Sequence, residues 1–252
     1  MTKLKAFTTH LGISLVIFLI VLYFILVHWY PFPYFNTDGG WQGIRILAFV
    51  DVVLGPMLTL LVFKQGKKYL KLDLSIIALI QISALAWGIS VIHRERPIAA
   101  VFVEDYFITV TANELNNKLT AAELKKFGAA PPVLIYLNVP QAELQQVRLR
   151  ALQTGRSMSL FTEYYAALDA TTIKAMTEMS INMPRFLADK PVEKNIYERF
   201  VRTHANEMDK FVFLEWNARH RKGIVVARAD TMEIVTFLKI TPPAVETKKA
   251  RY

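Results

Sequence analysis

Asp51 is the one charged residue in the interior of a long apolar run in this chain. An ionisable side chain at membrane depth costs about 2.5–3.5 kcal/mol on insertion scales, and it faces protein or water, not lipid. Counting down the apolar runs from the same end brings Tyr23 and Trp87 to the depth of Asp51. Both carry a hydrogen-bond donor, so one of them is expected to hold the carboxyl group. Arg45, six residues away, falls on a different helical face. Two roles stay open for Asp51: a polar clasp within the bundle, or a contact for a partner helix. Gly55 and Pro56 follow on the same run, and Pro56 is expected to kink the helix because proline removes a backbone hydrogen bond. Gln81 lies deep in another run and reads as packing glue.

Elsewhere the chemistry is sparse. Arg219, His220, Arg221 and Lys222 form a basic cluster. It suits either a charged soluble turn or a contact with anionic headgroups or an acidic partner face. The five histidines are scattered, and His204 with Glu207 supplies only two of the ligands a metal needs. There is no cysteine, which removes disulfides, thiolate catalysis and cysteine-based metal sites together. No nucleophile elbow and no phosphate-cradling glycine loop occurs. The expectation is a protein without catalytic, cofactor or metal sites.

Three apolar runs must position Asp51: 11–30, 44–63 and 72–92. Each has the roughly 20 residues needed to cross about 30 Å of hydrocarbon as a helix. The first is too long for a cleaved signal peptide and ends in bulky His28–Phe35 instead of small residues. Those aromatic rings suit a headgroup-level belt. Lys3, Lys5, Lys64, Lys67, Lys68 and Lys71 flank one side of the spans, against Arg45, Arg94 and Arg96 on the other. The excess places the N-terminus in the cytoplasm and everything after His93 outside.

Residues 94–240 have a different character. Two β-rich runs, 98–103 and 106–111, straddle Glu104-Asp105 as in a hairpin. A helix is expected over 113–127, a buried strand in VLIYLNV after Pro131-Pro132, and a helix from Pro140 to about Leu152. A mostly helical stretch follows over 158–208, and three strands at 211–216, 223–228 and 233–240 read as a meander. The fold class is therefore α+β: an N-terminal three-helix transmembrane bundle (1–93), then a mixed-sheet domain (94–240), with 241–252 as a Pro- and Lys-rich, disordered tail. The net charge of +9 comes from both signs mixed along the chain, a solvated surface and not a nucleic-acid stripe.

The stretch FNTDGGWQGIRILAFVDVVLGPMLTLLVFKQGKKYLKLDLSIIALIQISALAWGI, followed by HRERPIAAVFVEDYFITVTA, resembles the type IV pilin accessory proteins of the TfpX/TfpZ group. The likeness covers about residues 1–112. Its most specific parts are Asp51-Val52-Val53-Leu54-Gly55-Pro56 and the Arg96-Pro97…Val101-Phe102 junction. It implies a bacterial inner-membrane protein that serves a cognate major pilin as a pilin-specific assembly or stability factor. The implied partners are that pilin, the lipid bilayer and the inner-membrane pilus machinery. Such a pilin, before assembly, has one apolar helix with a glutamate in the bilayer and a globular head outside. No catalytic residue comes with the resemblance. The competing expectation is a membrane-anchored sensory or scaffold protein whose outer domain binds a ligand or another protein.

Overall fold

A computed structural model of the chain describes residues 2–115 and 119–242. They form two compact units, Met1–Arg96 and Pro97–Tyr252. The division falls three residues beyond the expected His93, because the third long helix continues to Arg94. Most of the tail expected over 241–252 lies outside the described residues.

In the first unit, α1 (Lys3–Phe24) continues through a π-helical turn at Ile25–Trp29. After a short α2 (Tyr34–Thr37), the second span is built from α3 (Gly40–Ala48), a π-helical stretch at Phe49–Leu54 and α4 (Gly55–Val62). The third is α5 (Leu70–Arg94). All three are long and apolar enough to cross a membrane. Each starts earlier than the apolar runs suggest, because polar ends such as Lys3–Lys5 continue the helix without adding apolar length. Gly39 makes the turn into α3 at φ 98°, a left-handed conformation that glycine adopts without a Cβ penalty.

The aromatic rim divides in a way its composition does not reveal. Phe32 and Trp41 are exposed, but Tyr30 and Tyr34 are buried. Tyr30 donates from its hydroxyl to the Ile92 carbonyl at 3.1 Å and packs with Ile25, Ile44 and Leu47. Part of the expected belt thus ties the ends of the spans together.

The second unit is a seven-stranded mixed sheet. Its strands are β1 (Pro97–Val103), β2 (Tyr106–Thr111), β3 (Val133–Leu137), β4 (Tyr165–Ala166), β5 (Phe211–Asn217), β6 (Lys222–Arg228) and β7 (Ile234–Leu238). The order across the sheet is β4-β3-β1-β2-β5-β6-β7. β1 and β2 form the expected hairpin, and β5–β6–β7 the expected antiparallel meander. The joins are parallel, β1 with β3 and β2 with β5, so the chain must cross over between them. The helices make those crossings: α6 (Ala112–Leu115) and α7 (Ala121–Leu124) before β3, then α8 (Leu144–Thr154), α9 (Ala170–Glu178), α10 (Met183–Phe186) and α11 (Pro191–Thr203). All seven residues of β1 are buried, which fits its unbroken apolar sequence at the sheet centre.

Two expectations need correction. The helix expected over 113–127 is two short ones, because Thr111/Glu114 and Thr120/Glu123 each close a reciprocal cap that starts a new helix. The stretch 158–208 also contains β4, whose two residues pair with Tyr136 and Leu137 and carry too little sequence to announce a strand.

The caps predict an acid response. Donation from the Thr172 backbone N–H (2.7 Å) holds the Asp169 carboxyl below its usual range, and the Thr120 backbone N–H does the same for Glu123. A folded-state pKa below the unfolded value of about 3.9 or 4.3 stabilises the fold above that value. The stabilisation is lost as pH falls through the folded pKa. The melting temperature of the second unit should be flat between pH 7 and about 5 and fall below about 4. Asp169→Asn, which keeps the cap acceptor but cannot titrate there, should make that fall shallower. An unchanged acid limb in the variant would refute the assignment.

Candidate functional site

Polar residues line up along one face of the second span. Asp51, Gly55 and Thr59 are spaced four apart and so share a stripe. All three are buried, Asp51 with 6% of its surface exposed. His10 and Ser14, also four apart, lie on α1. The two helices run in opposite directions and pair at two levels: Ser14 Oγ donates to Asp51 Oδ1 at 3.4 Å, and His10 Nδ1 meets Thr59 Oγ1 at 2.5 Å. Gln81, from α5, fills the position between them. A Cβ placed on Gly55 would lie 2.7 Å from Gln81 Cδ and closer still to its amide nitrogen. Glycine at 55 is therefore what lets the Gln81 side chain cross the second span.

This column is only partly satisfied. Among the described residues, Asp51 Oδ2 and Gln81 Nε2 are buried without a hydrogen-bond partner. One is an acceptor and the other a donor. A buried polar group without a partner costs about 1–3 kcal/mol, so two of them in an apolar bundle mark a site where the packing is not arranged for stability alone. Asp51 also sits within the π-helical stretch Phe49–Leu54. π-helical turns inside helices are rare and recur at functional sites. The π-helical stretch lies directly ahead of Gly55-Pro56. Pro56 has no N–H to donate to the preceding turn, and the helix widens ahead of it.

Neither expected partner holds Asp51. Tyr23 is 56% exposed and Trp87 70% exposed, both turned outward on the bundle. The expectation for Tyr23 fails on depth as well as on helix face, because it lies nine residues, about 13 Å of helix rise, along α1 from Ser14, the residue that meets Asp51. Tyr23 is nine residues from Ser14, which at about 100° per residue puts it on the opposite side of α1. Trp87 is six from Gln81 and turns about 120° away by the same reckoning. Ser14, His10 and Thr59 were missed; their signal was the spacing of four shared by His10/Ser14 and Asp51/Gly55/Thr59. Gln81 packs on Gly55, and its amide nitrogen is one of the two unpartnered groups of the column.

In the second unit, Arg219, His220, Arg221 and Lys222 are exposed at the β5–β6 turn, which the Ala218 N–H closes on the Arg221 carbonyl at 3.1 Å. His204 stacks on Phe200 with ring centroids 4.3 Å apart, and Glu207 pairs with Lys210 at 2.8 Å. Among the described residues no cluster of three metal-ligating side chains occurs.

The family model for the fimbrial assembly protein FimB matches residues 1–39. The chain is also similar to curated proteins of Dichelobacter nodosus. It is 34% identical over 98 residues to a fimbrial assembly protein of serogroups C1 and C2, covering 38% of this chain and 75% of that one. It is 35% identical over 98 residues to the fimbrial assembly protein of serogroup E1, and 34% identical to that of serogroup I. In those two the match spans 38% of the relative's length. No solved structure matches.

Proposed function

Because the chain belongs to the fimbrial assembly protein family, we propose that it is a membrane-anchored accessory factor for type IV pilus biogenesis. It holds the cognate major pilin before assembly, as a pilin-specific chaperone or assembly and stability factor. In this reading the spans lie in the bacterial inner membrane with the N-terminus in the cytoplasm, and the sheet domain is periplasmic. The protein catalyses no reaction and works by binding. Six lysines on one side of the spans against three arginines on the other support the orientation.

The observation that carries the proposal is the buried, unpartnered pair Asp51 Oδ2 and Gln81 Nε2. A pilin helix waiting in the bilayer has a polar group that the hydrocarbon cannot solvate. The acceptor and donor in the column would satisfy it. The link that closes the column against α1 at this level is the single Ser14–Asp51 contact, long at 3.4 Å, and interhelical bonds of this kind are worth only about 0.6 kcal/mol on average. Exchanging the Ser14 hydroxyl for a partner's polar group at Asp51 therefore costs little in hydrogen bonding.

Photo-crosslinkers placed residue by residue along the second span, in cells making both proteins, test this. Adducts to the pilin helix are expected in a helical pattern around Asp51. No pilin adduct at any scanned position would overturn the proposal.

A further inference from the structure

In the second unit, the end of α8 and the β1–β2 turn enclose a concave pocket of about 370 Å³. Val103, Tyr106 and Met158 supply apolar wall, and Leu152 and Arg156 stand on the α8 side. That volume is at the low end for ligand sites, enough for one or two side chains and too small for a large cofactor.

The frame around the pocket is held from both sides. Arg148 on α8 donates to Glu104 in the hairpin turn from Nε at 2.9 Å and from Nη2 at 2.7 Å. Gly155, at φ 63°, ends α8 in the left-handed conformation, and the Arg156 N–H returns to the Ala151 carbonyl at 3.1 Å. Arg156 is thereby fixed at the rim. Its guanidinium makes no ion pair or hydrogen bond among the described residues, whereas Arg148 and Arg150 are each paired with a glutamate.

Leu149 and Leu152 lie three apart on α8, one turn of the same face, and both are exposed, Leu152 at 79%. A solvated helix face of a soluble domain is normally polar. Here it carries two leucines beside a preformed pocket and an unpaired arginine.

We infer that this pocket and the Leu149–Leu152 face dock a segment of the pilin head presenting a bulky apolar side chain next to a carboxylate. The apolar group enters between Val103 and Leu152, and the carboxylate pairs with Arg156. Charge complementarity selects an acidic segment over a basic one, because the free charge at the rim is positive. The inference rests on the proposed function, and gives the sheet domain its own share of the pilin contact.

The test uses the full chain in membranes with its cognate pilin. Photo-crosslinkers at Leu152 and, as an exposed control on another helix, α11, at Val192 are compared, together with the variants Leu152→Asp and Arg156→Glu. Expected are pilin adducts at Leu152 and none at Val192, and an at least tenfold drop in recovered pilin for each variant at unchanged protein level. Second-span crosslinks to pilin with none from Leu152, and variants that retain pilin, would overturn this inference and leave the proposed function standing. A Leu152 adduct to a second copy of this chain would overturn it in favour of self-association. Absence of pilin adducts at every position would remove both.

Discussion

Asp51→Ala is expected to reach the membrane at the wild-type level and to retain less than a tenth of the co-expressed pilin. The bundle gives up little in this change. Asp51 contributes one 3.4 Å hydrogen bond from Ser14 and one oxygen that bonds to nothing described. Removing it also removes the cost of keeping an ionisable group at membrane depth, about 2.5–3.5 kcal/mol on insertion scales. What disappears is the acceptor that a partner's polar group would use. Asp51→Asn keeps an acceptor and the side-chain shape, and should keep at least part of the pilin. Co-purification with protein level measured by immunoblot separates the alternatives. Loss of the protein itself in Asp51→Ala, with Asp51→Asn normal, would make Asp51 a structural clasp and deny it a partner role.

The second large effect is expected at the centre of the sheet. Trp216→Ala should destabilise the second unit by about 3–5 kcal/mol, the usual cost of emptying a large aromatic site. Whole domains are stable by only about 5–15 kcal/mol, so a large part of the margin would go. Trp216 is fully buried, and it ends a row of aromatic residues that crosses four strands. Tyr136 on β3 stacks on Phe102 on β1, centroids 6.1 Å apart. Phe102 meets Phe107 on β2 edge-on at 5.2 Å, and Phe107 meets Trp216 on β5 at 5.4 Å. The register puts these residues opposite one another in three successive ladders. The row therefore links both parallel joins of the sheet to its central hairpin. In Trp216→Ala, limited trypsin digestion should clear the region after Arg96 at a temperature where the wild type resists. Trp216→Phe, which fills most of the space, should sit between the two. A melting temperature in Trp216→Ala within about 4 °C of wild type would contradict this role, since that shift corresponds to roughly 1–2 kcal/mol for a domain of this size.

Much of the architecture was legible in the chain alone, for local reasons. A run of twenty apolar residues has one stable arrangement in lipid, so the three spans and their count follow from length. The β1–β2 hairpin and the last three strands are neighbours in sequence, and short turns make them neighbours in space. Helix stops at Pro97 and Gly155 are backbone chemistry, and they hold where they were read. The importance of Asp51 was equally visible, because one charge in an apolar run needs no fold to be conspicuous.

Other features depended on contacts between distant residues. Which side chain meets Asp51 is a matter of helix rotation. Composition and a depth count favoured Tyr23 and Trp87, but packing turned both outward, left Tyr23 about 13 Å of helix rise from the level of Asp51 and brought Ser14 to it. That Gly55 exists to admit Gln81 requires two spans to be seen together. The parallel joins of β1 with β3 and β2 with β5 cross long stretches of chain, and no local pattern fixes such pairings. The pocket beside Leu152 joins a hairpin turn to a helix end 44 residues away through Arg148 and Glu104. The sequence by itself determined that the chain has three membrane-length helices, one intramembrane carboxylate and an α+β domain, because length, periodicity and charge are local properties. The tertiary structure alone decided which polar atoms are left without partners, because that depends on which faces of the helices and strands come to touch.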